Sequence, residues 1–106
     1  MAPTGMPPET CNVIEVVRAS AKVRSTITYG EVGQRTGLNA HIVVPHHLGV
    51  IWRLCEANEL PHLNTIVVSA NTRLPGDGYK PNGRPVTWEE YQPIRTAVSA
   101  YDWASV

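Results

Sequence analysis

The sequence predicts a small α+β domain, mostly helical, with a winged helix-turn-helix-like core. Three features carry that expectation. Two segments, 10–23 and 45–58, space their apolar residues at helical intervals. Two Thr-x-x-Glu boxes, Thr28 with Glu31 and Thr87 with Glu90, mark further helix starts. The run "NTIVVS" at 64–69 has the length and composition of a buried strand.

Residues 1–9, "MAPTGMPPE", are rich in Pro and Gly and read as a flexible N-terminus ahead of a single domain over 10–106. Thr10 is the expected N-cap of the first helix, with Val13, Ile14, Val16, Val17 and Ala21 near its inner face. Ser25 to Ile27 reads as a short extended piece. Thr28 then opens a helix over 29–36, and Gly37 stops it, because a C′ residue takes a left-handed conformation that costs glycine little. Proline is favoured at a first helical position, so Pro45 starts the third helix, whose apolar face is Leu48, Ile51, Trp52 and Cys55. The preceding "AHIVV" reads as an extended arm or an irregular first turn. Residues 70–86, with "LPGDG" and "KPNGRP", form a long loop. Thr87 begins a C-terminal helix in which Pro93 predicts a late start or a kink.

The 106 residues fit one small domain. Nine basic and nine acidic residues cancel, which removes a general electrostatic pull toward nucleic acid and leaves open a local basic face. No apolar run approaches the roughly 18 residues that span a bilayer, and no signal-peptide pattern stands at the start, so a cytoplasmic location without membrane contact is expected. Cys11 and Cys55 have no metal-type spacing and read as reduced, small apolar residues. No cofactor motif is present.

Taken together, "TITYGEVGQRTGL", "HHLGVIWRLCEANELP", "LNTIVV" and "GDGY" resemble the C-terminal domain of O6-alkylguanine DNA alkyltransferases and alkyltransferase-like proteins. The resemblance spans about 55 residues, Thr26 to Tyr79. It implies a winged-helix frame and binding to DNA, with Tyr29 near a nucleotide phosphate. The family's chemistry needs a cysteine thiolate beside a histidine. Aligning "IVV" with the family's "RVV" places Asn64 and Thr65 at those positions, so alkyl transfer is not expected. The family's base-intercalating arginine also has no counterpart, since "AHIVVPHH" occupies its region and no arginine lies between Arg35 and Arg53.

His41, His46 and His47 lie close in sequence, but adjacent helical residues point about 100° apart, so no metal site is expected. Asn64, Ser69, Asn71, Thr72, Arg73 and Asp77 form a polar cluster around the strand end, first of all as turn formers and backbone partners. The candidate nucleic-acid or partner-binding set is Tyr29, His46, His47, Arg53, Asn64, Asn71, Thr72 and Arg73, with no catalytic residue. The expected function is non-enzymatic binding to DNA or to a protein complex that handles DNA or RNA. Two alternatives stand beside it. One is a phage-type protein inhibitor of a host defence complex. The other is a small nuclease-like effector using the histidines.

Overall fold

The computed structural model describes residues 8–76 and 79–103. Helix α1 is Pro8–Lys22 and starts two residues earlier than expected, with proline at the first helical position. Thr10 is therefore not its cap. It lies inside the helix, fully buried, with its hydroxyl 2.6 Å from His47 Nδ1. Val13, Val17 and Ala21, four residues apart, form the buried stripe. The rest of the stretch 1–9 falls outside the described residues.

Strand β1 is Ile27–Thr28 and helix α2 is Tyr29–Thr36. Thr28 caps α2 reciprocally with Glu31: its Oγ1 accepts from Glu31 N–H, and its own N–H donates to the Glu31 carboxylate. Gly37 ends the helix at φ 76°, its N–H donating to Gly33 O at 2.8 Å. The α2–α3 connection is shaped by Asn39, whose Oδ1 accepts from the N–H groups of His41 and Ile42, each at 2.9 Å. Helix α3 accordingly begins before Pro45, spanning Val43–Ala57. Pro45 is its third residue, still in the first turn where an N–H would have no partner within the helix.

The expected strand at 64–69 is mostly a 3-10 turn, Leu63–Ile66, because the His62 carbonyl accepts both the N–H and the hydroxyl of Thr65. Only Val67–Val68 is extended, as β2. It pairs in parallel with β1, Ile27 beside Val67 and Thr28 beside Val68. This pair is the β-structure of the described residues, and the described residues of 69–76 and 79–87 that follow it are irregular. Helix α4, Trp88–Ala100, starts at its capping box without delay and runs through Pro93, which forfeits one backbone hydrogen bond on an exposed face.

The helices close on a core of Val13, Val17, Val32, Leu48, Ile51 and Ile66. A second cluster, Val68, Tyr79, Val86 and Tyr91, joins β2, the long loop and α4. The result is a mostly helical α+β domain. Among the described residues no helix is long and apolar enough to cross a membrane.

Candidate binding site

The 3-10 turn is the platform of the site. It is pinned from below by Thr65, fully buried, whose hydroxyl donates to His62 O at 2.7 Å. It is pinned from the side by α4, where the Tyr91 hydroxyl donates to Thr65 O at 2.7 Å. Those bonds fix Asn64 with only 5% of its surface exposed and its side-chain carbonyl Oδ1 without a hydrogen-bond partner. Asn64 lines a small cavity of about 70 Å³. Tyr29 from α2, Trp52 from α3 and Tyr79 from the loop contribute its aromatic walls, with Pro45 and Pro75 beside them. Trp52 Nε1 is likewise buried with no hydrogen-bond partner.

Two interactions hold the walls in place. Gly76 N–H donates to the Tyr29 hydroxyl at 2.8 Å, which ties the long loop to the start of α2. Gly76 lies so close to that phenol that a Cβ there would collide with it. On the other wall, Glu56, His62 and Tyr79 form a chain: His62 Nε2 lies 3.2 Å from Glu56 Oε1, and His62 Nδ1 lies 2.6 Å from Tyr79 Oη. Trp52 packs edge-on against both His62 and Tyr79, with ring centroids 6.1 and 5.0 Å away. Burial is the main reason the Tyr79 phenol is pushed up to about 12, with Glu56, Tyr91 and Cys55 adding to it. At neutral pH it is a hydrogen-bonding group and not a nucleophile.

The cavity adjoins a wider open groove of about 790 Å³ between the start of α2, His41 and the loop Ser69–Thr72; Tyr29, Pro45 and Pro75 line both. Among the described residues that line the two, none carries a carboxylate. Positive charge stands at the edge. The Arg53 guanidinium lies over Gly49, Nη1 being 3.7 Å from where a Cβ would stand. Arg73 is exposed, in the left-handed region at φ 60°, with its N–H donating to Ser69 O at 2.9 Å. Glu31 is held below the usual carboxylate range, mainly by the Thr28 backbone N–H and side chain, with Arg35 and Arg73 contributing.

The structure thus brings together Tyr29, Asn64, Asn71 and Thr72 as lining residues, with Arg53 against the lining residue Gly49. It sets His47 apart. That ring is buried, 6% exposed, and held by Thr10 on α1, so it offers no surface to a ligand or to a hydrolytic reaction. His46 is exposed but lines neither cavity nor groove. Asp77 lies outside the described residues. Cys55 is buried on α3, and burial pushes its thiol up, which leaves it inert toward alkyl transfer. No group of three metal-ligating side chains occurs among the described residues.

Trp52, His62 and Tyr79 are site residues that the sequence reasoning did not assign. They come from a helix, a turn and a loop, and no local spacing links them. No protein-family model matches the chain, and no match is found among curated proteins or among solved structures.

Proposed function

We propose that this is a non-enzymatic domain that binds single-stranded nucleic acid, with the strand in the groove and one base in the aromatic cavity. The observation that carries it is a cavity with three aromatic walls that adjoins a groove whose described lining residues carry no carboxylate. Aromatic faces stack on any base, and a neutral-to-basic rim tolerates phosphates. The sign of the charge decides against the other usual occupant of an aromatic box, an alkylated ammonium group. Arg53 stands over Gly49 and no described lining carboxylate offsets it. A strand that is already single also needs no extrusion from a duplex, which suits a chain without an arginine between Arg35 and Arg53.

In this reading the frame is that of an alkyltransferase-like domain with Asn64 where the acceptor thiol would stand, working in the cytoplasm. With Arg53 and Arg73 at the rim, affinity is modest and the salt slope shallow, about −1.4 in log–log terms for two phosphates. Fluorescence anisotropy with labelled single strands and duplexes tests it. Binding of the single strand that weakens with salt is expected, and no binding to either at low salt refutes it. A protein-contact role, as an inhibitor of a defence complex, rests on Ile42 and Trp88, which are 74% and 48% exposed. These are single residues and not a contiguous patch, so that role ranks second. A stable complex in a pull-down without nucleic-acid affinity would reverse the order.

A further inference from the structure

We propose that Asn82 is a site of spontaneous backbone modification, where the main-chain nitrogen of Gly83 displaces the side-chain amide and isoaspartate results. The site is the turn ahead of α4, and the reaction is independent of what occupies the groove.

Asn82 and Gly83 stand together in "KPNGRP". The reaction needs an approachable nitrogen, a side-chain amide that no neighbour holds, and a backbone able to turn. Gly83 has no side chain beside its nitrogen, and nothing lies within 4 Å of where a Cβ would stand. Asn82 is exposed, and no described residue holds its side chain. Residues 82–85 are all exposed. The Gly83 N–H donates to Lys80 O at 3.1 Å, so this turn must open before the nitrogen can attack. One such bond is a brake of about ten-fold at most, and exposed loops open at low cost.

The other asparagines are held back more strongly. Asn12 lies within α1. Asn39 accepts from the His41 and Ile42 N–H groups, and Asn58 donates to Leu54 O. Asn64 is buried. Asn71 is exposed like Asn82, but the residue after it is Thr72, whose branched side chain shields the attacking nitrogen.

The step balances without an oxidant or a cofactor. Solvent hydroxide takes the Gly83 amide proton. The nitrogen bonds to Asn82 Cγ, the Cγ–Nδ2 bond breaks, and ammonia leaves with a proton from water. The cyclic imide then takes up one water. Opening at the side-chain carbonyl gives aspartate. Opening at the main-chain carbonyl gives isoaspartate, with the chain running through the former side chain. Either product adds a carboxylate two residues before Arg84, whose guanidinium holds Glu90 through two contacts of 2.7 Å.

The test incubates the folded full chain at neutral and at mildly alkaline pH and maps its peptides by mass spectrometry over time. Asn82 is expected to convert several-fold faster than Asn71, to speed up with pH, and to yield more isoaspartate than aspartate. Conversion at Asn71 or another asparagine ahead of Asn82 overturns the proposal. So does an Asn82 that stays intact in the folded chain while the same chain, unfolded in guanidinium chloride, converts, because the turn would then be a lock and not a brake.

Discussion

Thr10→Val should loosen the seam between α1 and α3 by an amount that one buried contact sets. Thr10 is fully buried, His47 is 6% exposed, and the two polar atoms are 2.6 Å apart. Valine keeps the shape of the side chain and removes its hydroxyl. The loss is the net hydrogen bond, about 1 kcal/mol, plus the desolvation cost of a ring nitrogen left buried without a partner, which brings the total to about 2 kcal/mol. In a chain of this size each kcal/mol moves Tm by about 4–8 °C, so a drop of about 8–16 °C is expected.

The same contact makes stability depend on pH. Burial, then the neighbouring His46, lowers the His47 pKa below 6.5, and Glu9 opposes them weakly. The unfolded chain therefore takes up the proton first as pH falls. This stability is fully present above pH 6.5 and declines below it, by at most about 1.4 kcal/mol per pH unit, until the folded-state pKa is passed. His47→Leu removes that titration. Urea denaturation at neutral pH and about one to two units lower reads the gap between wild type and variant, which should narrow on acidification. A gap that stays constant, or a Thr10→Val variant within about 0.5 kcal/mol of wild type, refutes the reasoning.

Four further outcomes follow from the structure. Gly33→Ala gains about 1 kcal/mol of helix propensity, but its Cβ would stand 2.8 Å from the Leu38 carbonyl, and backbone yields at a cost of about 1–3 kcal/mol; a variant more stable than wild type in thermal melts contradicts this. Tyr91→Phe strips a buried donor from Thr65 O and should cost about 1–2 kcal/mol, with faster amide exchange across 65–68; unchanged exchange would count against the pinned turn. Arg84, then Thr87, holds Glu90 down at about 2 from an ordinary 4.5, so its contribution is present above 4.5 and lost as pH falls toward 2; Glu90→Gln should flatten that limb in melts followed by circular dichroism, and an unaltered limb speaks against the cap. Asn64→Leu removes the orphaned carbonyl and should leave stability equal or raised by up to about 2 kcal/mol while abolishing strand binding; a large loss of stability would show that Asn64 is structural.

The helices were legible wherever their causes are local. Thr28 with Glu31, Gly37, and Thr87 with Glu90 stand at their expected cap positions because a cap is a contact within three or four residues. Thr10 misled because an N-cap and a buried helical threonine look alike in sequence; what tells them apart is His47, 37 residues away. "NTIVVS" misled in a related way. Its composition suits a strand, but the hydroxyl of Thr65 competes for the His62 carbonyl and winds the first half into a 3-10 turn. Of the site, Tyr29 and Asn64 were visible through the resemblance, whereas the Glu56–His62–Tyr79 chain crosses three elements and leaves no trace in spacing.

Asn64 shows why such a site escapes a reading of local pattern. An asparagine beside Pro61, in a segment of turns, is most simply explained as a partner for nearby backbone groups, and its burial alone would fit that explanation. The structure removes it, since Oδ1 has no partner, and neither does Trp52 Nε1 on the same cavity. Each such atom costs about 1–3 kcal/mol when buried unpaired, a sum comparable to much of the stability of a small domain. A core shaped for stability alone would fill that space with an apolar side chain. An unpaired acceptor and donor, both on residues that line one aromatic-walled cavity beside a groove without described carboxylates, are a cost that a chain keeps when something other than stability shapes the site.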